Sequence, residues 1–272
     1  MKLGIGSYTY GWATGVYGPS LSEGLKRMTA EELVEDAHQR SVQIVQIVNL
    51  PDLASFDLEQ LEALTRFAKE KQVEIEVGTI GSDPEQLRRW IDVGKQLGSR
   101  MMRTIFVTPS EGLQKELTDL KTILPDLKEA GIRLAVENHE TSSIHDLKIM
   151  VEVINDPYVG ICLDTVNSLG RGEGVWEVAE LLLPLTINLH VKDYTVTRGA
   201  TDMGFTVTGE VTGKGKLDIP RLLREANKVD PEMSVILEQW TPLQEDFEAS
   251  NQLQIDWADV GVNYLKTELS RI

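Results

Sequence analysis

Cysteine is nearly absent from this 272-residue chain. Cys162 stands alone, which excludes an internal disulfide framework and suits a reducing cytoplasm. No run of about 18 or more apolar residues occurs, so no membrane-spanning helix is expected. The opening MKLGIGSYTY has no hydrophobic signal core and reads as a first strand. Positive charge is scarce: 27 Lys and Arg against 43 Asp and Glu give a net charge of −16, which repels nucleic-acid phosphates and anionic membranes. The glycines of GSYTYGWATG lack the spacing of a dinucleotide-phosphate fingerprint. No Pro/Ser-rich linker or low-complexity tract divides the chain, so residues 1–272 are read as one domain.

What is present is alternation. Short β-rich runs cover Leu3–Tyr8, Val42–Val48, Val73–Gly78, Arg100–Phe106, Ile132–Glu137, Val159–Asp164, Ile187–Lys192 and Ser234–Glu238. Amphipathic patterns lie between them, such as Leu87, Trp90, Ile91, Gly94 and Leu97 on one helical face, and Leu113, Leu117, Leu120, Leu124 and Leu127 on another. Helix starts are marked by Thr29 and Glu32 at capping-box spacing and by Asp83-Pro84. Eight strands alternating with helices at this length predict an α/β fold, a single-domain (β/α)8 TIM barrel with an extended loop over 194–217 after the seventh strand. One run fits poorly: VEIEV alternates charge and hydrophobe, so Glu74 and Glu76 either enter a polar lumen or mark an irregular strand.

Active sites of such barrels form at the C-terminal ends of the strands. Four successive strand ends carry Glu137, Asp164, His190 and Glu238. Asp164 follows Glu137 by 27 residues and His190 follows Asp164 by 26, one β/α unit each; Glu238 follows after 48, a unit lengthened by the long loop. Period-two alternation puts Asn188, His190 and Lys192 on one face and Gly160, Cys162 and Asp164 on another. Three converging carboxylates repel unless a cation holds them. With one imidazole they form a set for one divalent ion, Mn²⁺ or Mg²⁺ favoured, with Co²⁺ or Zn²⁺ admitted.

At LAVENH, GICLDTVNS, NLHVKD, GKGKLD and VILEQW the chain resembles the xylose isomerase-like TIM barrel superfamily, the sugar phosphate isomerase/epimerase family, over essentially its whole length. The resemblance implies that Glu137, Asp164, His190 and Glu238 bind the metal and that Glu137 and Glu238 form the proton-transferring pair. Two positions depart from the ketose 3-epimerase pattern: Asn167 stands where those enzymes have a histidine, and Val196 where they have a substrate-gripping arginine, with Arg198 out of register. The family's nucleic-acid branch needs a histidine-rich three-zinc site, which four histidines, one of them His38 on a predicted helix, do not supply.

The expected activity is therefore a metal-dependent isomerase or epimerase of a small keto sugar, working through an enediolate. The alternative is a lyase, a decarboxylase or dehydratase of a keto sugar acid on the same site. Arg103 and Lys192 could hold a substrate carboxylate, although Arg103 could equally form a barrel-rim salt bridge. Asn138, His139 and Asn167 flank the metal positions, and Tyr8 and Trp12 could stack on a sugar or pack the rim. Asp193 could orient Lys192 or cap the loop, which itself reads as a hairpin lid. Cys162 reads as a small core residue. Expected partners are a sugar or sugar-acid substrate, without nucleic acid or membrane, and a homo-oligomer is admitted.

Overall fold

In the computed structural model, residues 1–18, 26–106, 112–199 and 203–272 are described. Eight parallel strands close a barrel: β1 (Lys2–Gly6), β2 (Ile44–Val48), β3 (Glu74–Gly78), β4 (Met101–Thr104), β5 (Arg133–Glu137), β6 (Val159–Asp164), β7 (Thr186–Val191) and β10 (Ser234–Leu237). Neighbours follow chain order, and β10 closes the ring between β7 and β1. The long loop is an antiparallel hairpin of β8 (Asp193–Arg198) and β9 (Phe205–Glu210), whose tip at 200–202 lies outside the described residues. No helix among the described residues is long and apolar enough to cross a membrane.

Local chemistry sets the element boundaries. Helix α2 (Ala30–Gln39) begins with the expected capping box, Thr29 and Glu32 each satisfying the other's backbone N–H. Helix α4 (Pro84–Leu97) starts on Asp83-Pro84 and buries Leu87, Ile91, Gly94 and Leu97. Strand β1 stops at Gly6, two residues short of expectation, because Thr9 and Ser7 draw the backbone into a turn. Gly6 N–H donates to the Thr9 hydroxyl at 2.8 Å, and Ser7 Oγ donates to the Val48 carbonyl at 2.7 Å. Strand β4 ends at Thr104, short of the expected Phe106; Gly81 N–H donates to the Ile105 carbonyl at 2.7 Å in the following loop.

The VEIEV run resolves into two different glutamates. Glu74, at the base of β3, is exposed and pairs with Lys2 at 2.6 Å. Glu76 points into the lumen, where Gln46 of β2, Asn188 of β7 and Ser234 of β10 donate to it at 2.9, 3.1 and 2.6 Å. Burial raises its carboxyl above the ordinary range against the pull of these donors. Beside this polar layer Met101, Ala135, Cys162 and Ile187 form a small apolar cluster. The expectation for Cys162 holds: it is buried, and its thiol donates to Asn188 Oδ1 at 3.2 Å.

Strand β1 packs tightly against its neighbours at Gly4. A Cβ on Gly4 would lie 2.7 Å from Ile236 Cδ1, 2.8 Å from Ile44 Cβ and 2.9 Å from the Ile44 carbonyl. Gly4→Ala is therefore expected to cost about 1–3 kcal/mol by overpacking. A lowered urea midpoint at unchanged slope is the expected readout; an unchanged midpoint would show that β1 can move away.

Candidate metal centre

Each of the four strand-end groups arrives by a different backbone route. Glu137 is the last residue of β5 and Asp164 the last of β6; His190 pairs with Asp164 across β6–β7, and Glu238 follows β10, its N–H donating to the Val191 carbonyl at 3.1 Å. All four are buried, and one donor atom from each lies within 4.8 Å of the others. Glu238 Oε1 and Glu137 Oε2 approach His190 Nδ1 at 3.2 and 3.4 Å.

Two cations enter the same volume. Lys192, one residue past β7, puts Nζ 2.7 Å from Glu238 Oε2 and 2.8 Å from Asp164 Oδ2. It also donates to Asn167 Oδ1 at 3.3 Å. Arg103 on β4 donates through Nε to Glu137 Oε2, so it sits inside the site and not in a rim salt bridge. Its Nη1 is buried without a hydrogen-bond partner among the described residues. Asn167 joins both halves, because its Nδ2 donates to Glu137 Oε1 at 2.6 Å.

These contacts set the ionisation states. Burial pushes the Glu137 carboxyl up, but Arg103, His190 and Lys192 outweigh it and hold the group at about 2. Asp164 goes the other way: burial, reinforced by Glu137 and Glu238, lifts its carboxyl despite Lys192 and His190. Burial opposes the Lys192 charge, yet Asp164, Glu238 and Glu137 keep its ammonium well above the ordinary lysine range.

The donor set fits a divalent ion. Both ring nitrogens of His190 are buried without a hydrogen-bond partner among the described residues, which is costly in a dry interior unless another group supplies the contact. Three carboxylates and one imidazole provide the oxygen-rich set expected of a hard or borderline ion. At formal charge, three carboxylates against Arg103 and Lys192 leave one net negative charge. A divalent ion would make it one net positive.

The remaining expected residues divide. Tyr8 lies under Arg103, its ring centroid 6.0 Å from the guanidinium carbon, and its hydroxyl accepts from Asn49 at 2.8 Å. Trp12 is tied down by its indole N–H, which donates to the Thr241 carbonyl at 3.0 Å. His139 stays on the half-buried rim, paired with Glu140. Asp193 does not orient Lys192; it caps the loop, accepting from the N–H groups of Tyr194, Gly213, Gly215 and Leu217 at 2.8–3.1 Å. Val196 sits within the hairpin opposite Val207, and Arg198 lies over the exposed Phe205 ring, 5.2 Å from its centroid.

Sequence reasoning missed Tyr17, whose ring packs beside Tyr8 and Trp12. The glycines at 11, 15 and 18 around it were the available signal. It also left open the role of Asn138, which is a strap. Asn138 Oδ1 accepts from Asp164 N–H at 2.7 Å, and Nδ2 donates to the Asp164 carbonyl at 2.9 Å and to Ser168 Oγ at 3.0 Å. Asn138→Ala is expected to lose about 1–3 kcal/mol of unfolding free energy, the cost of leaving buried partners unbonded. Wild-type stability of the variant would show that these groups find other partners.

Comparison with known proteins agrees with this architecture. A family model described as xylose isomerase-like TIM barrel matches residues 21–258. The chain is 29% identical over 269 residues to a 3-oxo-isoapionate decarboxylase of Pectobacterium atrosepticum, covering 98% of this chain and 96% of that protein. Among solved structures, D-psicose 3-epimerase of Clostridium cellulolyticum H10 with D-tagatose superposes with a TM-score of 0.75 at 10% identity, over 99% of each chain. A xylose isomerase-like TIM barrel protein of Mycobacterium smegmatis in complex with magnesium gives 0.69 at 12% identity, over 99% of this chain and 97% of that one. At such identities the superpositions speak for the fold alone.

Proposed function

Because the chain belongs to the xylose isomerase-like TIM barrel family, we propose that it is a metal-dependent lyase releasing CO2 from a small 3-oxo sugar acid. The observation that carries this reading is the pair of buried cations among the carboxylates, with Arg103 Nη1 left without a hydrogen-bond partner among the described residues. A substrate carboxylate supplies that partner and matches the net positive charge of the loaded site. The relationship to a decarboxylase of a 3-oxo acid across nearly the whole chain supports the same choice.

In such a substrate the bond from C2 to the carboxyl carbon breaks, its electron pair moves to the 3-oxo oxygen, and CO2 leaves. A divalent ion held by Glu137, Asp164, His190 and Glu238 would supply the Lewis acid for that oxygen. The protein's own groups do the rest. Arg103 and Lys192 bind and orient the carboxylate, and burial keeps bulk water away. Arg103 holds Glu137 ionised, which leaves Glu238 to return a proton to C2. Lys192, 2.7 Å from Glu238 Oε2, keeps its own proton and orients that carboxyl, and the proton that Glu238 passes on comes from solvent.

A second reading, isomerisation or epimerisation of a keto sugar, is favoured by one feature. Glu137 and Glu238 both reach His190, so two carboxylates are available as an acid/base pair. Incubating the Mn²⁺ form in D₂O with keto sugars and 3-oxo sugar acids separates the two. CO2 with deuterium at C2 of the product supports the lyase; a deuterated product without CO2 moves the assignment to the second reading; neither overturns both.

Two further outcomes follow from these roles. Mn²⁺ at a hundredfold excess over its Kd should stabilise the fold by about 2.7 kcal/mol, seen as a raised melting temperature. His190→Ala should abolish that rise, and a shift that persists in the variant would show that the ion binds elsewhere. Lys192→Met should keep the ion but lower kcat/KM at least about tenfold, roughly 1.4 kcal/mol of transition-state stabilisation. Loss of the ion instead would make Lys192 a support for the metal cluster.

A further inference from the structure

Beyond the strand-end groups, one side chain at the barrel mouth has been placed by special backbone geometry. Tyr17 follows the short helix α1 (Gly11–Thr14), and the chain reverses at Gly15, whose φ of 81° is open to glycine without strain. The reversal lays the Tyr17 ring on the backbone of Gly11. A Cβ there would lie 2.5 Å from ring atoms Cγ and Cδ1, so only glycine admits the contact. Tyr17 N–H donates to the Gly11 carbonyl at 3.1 Å, which closes the turn.

The ring so placed is not simply filling space. It meets Trp12 edge-on at 5.4 Å between centroids and leans on Tyr8 at 6.0 Å. Tyr8 in turn lies beneath Arg103, so the three aromatics form the wall beside the cation bound to Glu137. The Tyr17 phenol is close enough to Lys192, Glu238 and Asp164 for all three to act on it electrostatically. Its hydroxyl donates to the Tyr8 carbonyl at 3.2 Å, longer than the usual range for an O–H···O bond. That bond is weak, and the hydroxyl can exchange it for a better acceptor.

We propose that Tyr17 is a substrate-binding residue of this site, its hydroxyl donating to a hydroxyl oxygen of the bound keto acid while Arg103 and Lys192 hold the carboxylate. The assignment rests on the keto-acid reading above. A site that hydrogen-bonds a substrate hydroxyl rejects the analogue lacking it, because its own polar group is then left unpaired. Tyr17 thus selects polyhydroxylated acids over simple keto acids.

The test compares malonate with hydroxymalonate, two dicarboxylates differing by one hydroxyl, by calorimetry on the Mn²⁺-loaded protein. Tyr17→Phe keeps the ring and removes only the donor, so metal content and the urea midpoint should match wild type. Hydroxymalonate should then bind about tenfold more weakly to the variant while malonate affinity stays the same. Equal changes for both acids, or none for either, overturn the assignment. If neither acid binds wild type but dihydroxyacetone does, the keto-acid reading fails. Tyr17 is then judged on dihydroxyacetone against hydroxyacetone: selective weakening of dihydroxyacetone by Tyr17→Phe upholds its role as a hydroxyl donor, and anything else overturns it. Failure of all four probes to bind wild type overturns both.

Discussion

Like charges brought together out of water govern the upper half of this barrel. Glu137, Asp164 and Glu238 are all buried, and the low dielectric that would strengthen any attraction between them and a cation also strengthens their mutual repulsion. The surrounding residues read as answers to that problem. Arg103 takes Glu137, Lys192 spans Glu238 and Asp164, and Asn167 bonds to both Glu137 and Lys192. Asp164 is further supported by the backbone: its Oδ1 accepts from Val166 and Asn167 N–H at 2.9 and 2.8 Å.

The polar layer one step down the lumen follows from the same constraint. A fourth ionised carboxylate beneath the cluster would add to the repulsion. Glu76 is instead pushed by burial toward its neutral form and enclosed by Gln46, Asn188 and Ser234. Gln46 and Asn188 are also bonded to each other at 3.2 Å, which ties β2 to β7 across the barrel. The lumen is therefore filled with hydrogen-bonded side chains under the site, and the charged groups above it stand on a fixed floor.

How much of this was legible in the sequence depended on whether a feature obeyed a period. The barrel and the four strand-end donors did: strand spacing and inward alternation place Glu137, Asp164, His190 and Glu238 together with no knowledge of their contacts. Lys192 was legible for the same reason, two residues beyond His190. Arg103 was legible only as a candidate carboxylate holder or rim salt bridge, because its partner depended on how far β4 and β5 bring their ends together. Tyr17 obeyed no period, since its position comes from a reversal at Gly15 and an approach to Gly11 that appear only in three dimensions. Glu74 and Glu76 looked alike in VEIEV; depth in the barrel separates them, the first meeting Lys2 at the solvent and the second the lumen.

Asp193 has a wider consequence. Its carboxylate gathers four backbone N–H groups immediately after Lys192, and Gly215 must lack a side chain because a Cβ would lie 2.2 Å from Asp193 Oδ1. The knot fixes both feet of the hairpin to the barrel at one point. Changes in length or sequence farther along the arm are thereby insulated from the lysine. A lineage can lengthen, shorten or redecorate the arm, and so change what it greets at the mouth, while the chemistry below is inherited intact.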